Sequence, residues 1–280
     1  MHSGGKTIHL KAGHYQAVIV TVGAGLAELT HHARHVVIPH KPDEMPLAHL
    51  GKVLIPWPNR VTDGCYRYNS KTLQLAVNDP VSHTAIHGLL AWRDWQINHQ
   101  SASEVSLTVF LPPSYGYPFA LMSEVIYRLD ATSGLHVSIC TQNVGDETAP
   151  YGAGAHPYLT CNLQHIDSCE LTLPASEVVH GELNFSVPRI VASTAIDHTF
   201  KSALSPEEWE VRMSSHSQKM STFLRSNQPW LQVYTGEKLA RRGLAVEPMT
   251  CPPDAFNSGI SLIHLAPGEK HQLNFLIGSE

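Results

Sequence analysis

The sequence predicts an all-β chain folded as a large antiparallel β-sandwich. Apolar and β-branched residues recur with period two in many short runs, the signature of half-buried strands. Those runs are separated by Gly, Pro, Asn or Asp roughly every 8–15 residues, as sandwich strands are. No amphipathic helix of three or more turns is evident.

Taken in order, strands are expected over Ala17–Val22, Val105–Phe110, Ser123–Leu129, Leu135–Thr141, Cys169–Leu173, Leu231–Tyr234 and His271–Ile277. Tyr66–Tyr68 and Thr72–Leu75 flank Asn69-Ser70-Lys71 and predict a hairpin with a three-residue connection. Glu208–Ser214 and Met220–Arg225 predict a second hairpin around His216-Ser217-Gln218, and Ser205–Trp209 has the residues of a helix start. No linker, low-complexity tract or 20–50-residue repeat interrupts the pattern. Residues 1–280 are therefore expected to form one domain, with 39–50 and 143–151 as its functional loops.

Composition narrows the partner. Hydrophobic residues make up 42% of the 280, enough for a sizeable core, and charged residues only 15%. A net charge of -5 without a basic block argues against nucleic acid or an anionic membrane surface. A small molecule is the expected partner, and no signal for an oligomeric state is present. The five cysteines contain no Cys-x-x-Cys pair, so neither a disulfide framework nor a thiolate zinc site is expected. Cys140, in an apolar alternating run, is expected to fill the core. The N-terminus lacks an apolar signal core and no run of 18 apolar residues occurs, so a cytoplasmic location is expected.

Three segments each hold one proton-handling side chain between small, rigid or apolar neighbours: Ala85-Ile86-His87-Gly88, Gly154-Ala155-His156-Pro157-Tyr158 and Val246-Glu247-Pro248. Two histidines and a carboxylate form an acid–base kit without a metal. Glu247 follows the strand-like Leu244–Val246, and Pro248 is expected to stop the ladder there, pointing the carboxylate into a pocket. Partial burial would raise its pKa and make it a better base. Read alone, Glu247 fits a surface carboxylate as well, and His156 and His87 fit hydrogen-bonded structural histidines.

Recognition groups surround these candidates. Asn59-Arg60 offers a guanidinium with five fixed donors for hydroxyls or an anion. Asp197 can accept from two adjacent sugar hydroxyls, or cap a turn. Trp57, Trp92, Trp95 and Trp230 are candidate faces for a sugar ring, though a core role is the commoner one for any single tryptophan. The nineteen histidines include a cluster, His31, His32 and His35, and an i, i+4 pair, His83 and His87, but no HExxH, so no metal or other cofactor is expected. Gly23-Ala24-Gly25 lacks the third glycine and the helix of a nucleotide loop.

In this order, Asn59-Arg60 with Tyr66–Val77, Ile86-His87-Gly88, Gly154–Tyr158, Asp197-His198-Thr199-Phe200, Gln232–Gly236 and Val246-Glu247-Pro248 with Pro253–Asn257 resemble the aldose 1-epimerases, or galactose mutarotases, over nearly the whole chain. The resemblance implies a galactose mutarotase-type β-sandwich with a monosaccharide across an open cleft. It implies Glu247 as general base at the anomeric hydroxyl and His156 as general acid at the ring oxygen. His87, Arg60 and Asp197 match residues that hold the ring-oxygen side and the hydroxyls, and Asn59 and Gln232 fall in the same matching segments.

The run from Ile55 to Trp95 looks closer to the bacterial branch that includes proteins acting on sulfoquinovose, a glucose with a sulfonate at C6. Arg93 is the expected contact for such an anion. A hexose-6-phosphate epimerase, or a sugar-binding protein without catalysis on the same fold, are the alternatives.

Overall fold

The computed structural model describes residues 2–174, the backbone of 176–178, and residues 186–280. Two antiparallel sheets dominate it. The larger has nine strands in the order Gln96–Gln100, Glu104–Leu111, Leu121–Asp130, Gly134–Asn143, Lys270–Ser279, Met220–Ser226, Trp209–Ser215, Glu170–Thr172, Arg189–Ile190. The C-terminal strand thus lies in its middle and joins two meanders from different parts of the chain. The second runs Ser176–Val178, Asp197–Ser202, Trp230–Tyr234, Leu244–Met249, Gly154–Ala155, Val53–Leu54, with Tyr158–Leu159 also on Leu244–Met249. A four-stranded N-terminal sheet, Thr7–Ala12 to Arg34–His35, completes the main layers.

The period-two pattern works as expected on the long strands. Gly134–Asn143 buries Leu135, Val137 and Ile139, which share one hydrophobic cluster with Val246 and Val233 of the second sheet and Leu10 of the N-terminal one. Cys140 falls on the opposite, half-buried face with His136 and Ser138, so it is not a core residue; alternation forbids it to share a face with Ile139.

Other boundaries shift for local reasons. The first expected strand begins at Tyr15 and ends at Val20. The hairpin of Cys65–Tyr68 and Lys71–Gln74 closes over two residues, not three: Asn69 and Ser70 both have positive φ (47° and 63°), the turn that matches strand twist. No helical turn forms at Ser205–Trp209. Glu207 N–H closes a turn on Leu204 O, and Trp209 is drawn into the sheet, buried, with its indole N–H donating to Gln228 O. No helix among the described residues is long and apolar enough to cross a membrane.

Candidate active site

The chemistry-bearing residues meet on one face of the second sheet. Leu244–Met249 does not end at Pro248; that residue lies within the strand, opposite Leu231. On the other side, Gly154 pairs with Met249 and Tyr158 with Ala245. Counting two residues inward from either pair sets His156 opposite Glu247. Pro248 is tolerated because the strand bonds to that side on either side of it, Val246 N–H to Pro157 O and Thr250 N–H to Ala153 O, while Ala155, which faces Pro248, is not paired with it, so no N–H is missed.

On the far flank Gln232 pairs with Glu247, and Thr199 with Gln232. His156, Glu247, Gln232 and Thr199 therefore form one row across three strands and the segment that joins Ala155 to Tyr158, with side chains on a common face. His156 Nε2 stands 3.3 Å from Glu247 Oε1, both residues being buried. The amide of Gln232 is fixed at both ends: its Nε2 donates to Asp197 Oδ1 at 2.6 Å, and its Oε1 accepts from Thr199 Oγ1 at 2.5 Å.

His87 arrives from a different quarter. Arg60–Thr62 pairs with Thr84–Ile86, and the chain leaves that pairing through two residues of positive φ, Asn59 (54°) and His87 (63°). They lock each other: His87 N–H donates to Asn59 O, and Asn59 N–H donates to His87 Nδ1 at 3.2 Å. That bond assigns the proton of the neutral imidazole to Nε2. The ring meets His156 edge to face at 5.1 Å between centroids.

These groups line a cavity of about 420 Å3 together with Asn59, Arg60, Asp197 and Gln232. Arg60 is held by Asn59 Oδ1 at 3.3 Å and lies 3.8 Å from Asp79. Among the residues that sequence reading did not assign, His49, Tyr158, Asn78, Asp79, Tyr234 and Lys238 also reach the wall. His49 was signalled only by its place in the 39–50 loop. Its ring lies 4.6 Å from that of His87. Tyr158 stacks on His156 at 5.0 Å and donates to Ala48 O.

Five expected contacts are not brought to the cavity. Arg93 is exposed and absent from its lining, because its turn presents Trp92 toward His49 and uses Asp94 to accept from Thr21 Oγ1. Trp57, Trp95 and Trp230 are core residues, and Trp92 packs on His49 outside the lining. The 143–151 loop contributes no residue to the wall.

Burial decides the protonation of the centre. It pushes the Glu247 carboxyl well above its usual range; the charge of Asp197 adds to this and Arg60 opposes it. Burial likewise holds His156 down to about 3, with His49 adding to it, and His49 itself to about 4. His87 is pushed well below 6.5 by burial and then by its histidine neighbours. The interior thus favours an uncharged pair, a carboxylic acid beside a neutral imidazole. Glu247 Oε2 and His156 Nδ1 have no hydrogen-bond partner although buried. Such orphans require a ligand or a partner to offset their desolvation.

The polar atoms of His87, His156 and Glu247 lie within 4.8 Å of one another, the spacing of a ligand set. With Nδ1 of His87 accepting from Asn59, its Nε2 carries the proton and offers no lone pair, so the donor set does not fit a cation. The His31–His32 pair stacks against Tyr15 and His14, and His83 pairs with Asp63 at 2.9 Å; none of these lines the cavity.

Comparison with known proteins turns this geometry into a family. The family model for aldose 1-epimerase matches residues 6–278. The chain belongs to the aldose 1-epimerase family. It is 56% identical to YihR of Escherichia coli K12, an uncharacterised protein, over 99% of this chain and 94% of that one.

Among solved structures, the aldose epimerase homologue of C. elegans superposes with a TM-score of 0.88 at 17% identity, covering 98% of each chain. A putative aldose 1-epimerase of Escherichia coli K12 gives 0.83 at 20%, covering 98% of this chain and 99% of that one. The galactose 1-epimerase of Lactobacillus acidophilus gives 0.78 at 19%, covering 98% and 94%. As a member of the aldose 1-epimerase family the chain is an isomerase, and the fold is the galactose mutarotase-like β-sandwich.

Proposed function

We propose that this enzyme interconverts the α and β anomers of a hexose through Glu247 and His156. The contact between the two, buried and 3.3 Å apart, carries the reading. The pair shares one proton, which rests on Glu247; its transfer across the 3.3 Å contact to His156 gives the carboxylate and imidazolium from which ring opening starts. The carboxylate takes the proton of the anomeric hydroxyl while the imidazolium gives its proton to the ring oxygen. The C1–O5 bond breaks and C1 becomes a carbonyl. The pair is left as carboxylic acid and neutral imidazole, the form that burial favours. Rotation about C1–C2 presents the other carbonyl face. Reclosure reverses both transfers and restores the pair, so charge never accumulates on the sugar.

His87, with its proton on Nε2, supports the ring-oxygen side. Arg60, Asn59, Asp197 and Gln232 hold hydroxyls along the wall. A C6 anion such as the sulfonate of sulfoquinovose is supported by Lys238 rather than Arg93. Lys238 lines the cavity, and among the described residues no carboxylate lies within ion-pair distance of it.

The test is anomer exchange followed by NMR on α-glucose, α-sulfoquinovose and α-glucose 6-phosphate. Catalysed exchange with the sulfonated sugar preferred is expected. Equal efficiency on all three removes the C6 reading, preference for the phosphate gives the hexose-6-phosphate alternative, and binding without exchange gives the non-catalytic one.

A further inference from the structure

One charged group near the cavity has no place in this chemistry. Lys52 is 0% exposed, and among the described residues no carboxylate pairs with it. Its Nζ donates to Val22 O at 2.5 Å and sits 5.1 Å from the centre of the Trp92 ring. An ammonium buried against one carbonyl and one aromatic face is costly, and such groups cluster at functional sites.

The slot is built by the glycine pair that failed as a nucleotide loop. At Gly23, whose φ is +71°, a Cβ would stand 2.7 Å from Lys52 Cδ and 2.1 Å from Ala91 O; at Gly25 it would stand 3.3 Å from Nζ. Gly23-Ala24-Gly25 makes room for one lysine side chain.

From this slot Lys52 touches the supports of all three cavity histidines. Its carbonyl accepts from His156 N–H at 3.0 Å, and its N–H donates to His49 O at 3.0 Å. Its ammonium holds Trp92, whose ring lies 5.5 Å from His49, and His49 lies 4.6 Å from His87.

We propose, resting on the acid–base reading above, that Lys52 is a positioning residue for His49, His87 and His156, and that its charged form is the working one. The charge keeps Trp92 seated against His49 and opposes protonation of that ring. The titratable groups that share its field are His49 and His40, both on the 39–50 loop. Asp94, in the turn that carries Trp92, is turned away to Thr21. Burial lowers the ammonium to about 8, so charge is present below that pH and lost above it.

The experiment measures kcat and KM from pH 6 to 10 for wild type, Lys52→Met and Lys52→Arg, with melting temperatures. Lys52→Met is expected to lower kcat at pH 7 by about tenfold with KM little changed, since the hydroxyl contacts are untouched. Its ratio of kcat/KM at pH 9 to pH 7 should rise by up to about tenfold, because the lysine titration is gone. Lys52→Arg, charged throughout, should restore kcat at pH 7 and resist the alkaline fall.

A folded Lys52→Met with wild-type kcat and pH ratio overturns the proposal. If Lys52→Met does not fold, the partly exposed Trp92→Ala decides: lower kcat at an unchanged melting temperature supports the relay, and wild-type kcat overturns it. Wild type without exchange on any sugar removes the acid–base reading and this role together; an active wild type beside an indifferent Lys52→Met removes this role alone.

Discussion

Glu247 and His156 occupy opposed register positions on neighbouring antiparallel segments, and their side chains meet at 3.3 Å on a buried face. Each keeps its other polar atom unpartnered. In the proposed mechanism this pair exchanges protons with a ligand that supplies both a hydroxyl and an ether oxygen.

Glu247→Gln is expected to abolish anomer exchange while sugar binding persists. The amide keeps the shape but cannot take a proton, and losing a positioned base lowers rates by about 10²–10⁴-fold. NMR exchange rates with a parallel binding titration check this; near-wild-type exchange in a folded variant would show that Glu247 is not the base.

Asp197→Asn should shift the acid limb of kcat/KM to lower pH. The charge of Asp197 helps hold the Glu247 carboxyl up, so its removal lets Glu247 ionise earlier. The same change loosens Gln232, whose Nε2 donates to Asp197, and should raise KM. An acid limb that stays put or moves upward contradicts the assigned coupling.

Stability should fall as the pH drops from about 6.5 toward 4. Unfolded His49 and His156 take up protons near 6.5, whereas in the folded chain His49 does so only at about 4 and His156 at about 3. The stability they contribute is fully present above 6.5 and is lost as protons bind to the unfolded chain. His49→Phe should flatten the fall of melting temperature over that window. An unchanged slope would mean that His49 titrates normally in the folded protein.

Lys238→Met should reduce kcat/KM for a C6-sulfonated sugar by about 10–150-fold, matching the roughly 1.5–3 kcal/mol of a charge-assisted hydrogen bond, and spare glucose. Arg93→Met, on the exposed turn outside the cavity, should change neither. Selective loss in Arg93→Met would restore the arginine to the anion site.

The sequence by itself determined the fold class and picked out candidate side chains for acid–base chemistry. Alternation of the kind seen at Leu135, Val137 and Ile139 is a local property of a strand with one buried face, so it is legible without a structure. Glu247, His156 and His87 stood out because their immediate neighbours are small, rigid or apolar. Even there the reading erred where a neighbouring strand decides: Pro248 was expected to end a strand, yet it lies inside one because residues 155–157 ask no hydrogen bond of it.

Only the tertiary structure decided which strands are neighbours, and so that His156, Glu247, Gln232 and Thr199 share a row. Period two says which face a side chain takes, but not which strand lies beside it. Loop side chains were less legible still. His49 reaches the cavity through a positive φ of 53° and Lys238 from a one-turn 3-10 segment, while Arg93, six residues from His87, turns outward. Their directions depend on backbone conformations fixed by distant packing, as Lys52 depends on the space left by Gly23 and Gly25. Contacts of that kind are settled only when the whole chain has closed around them.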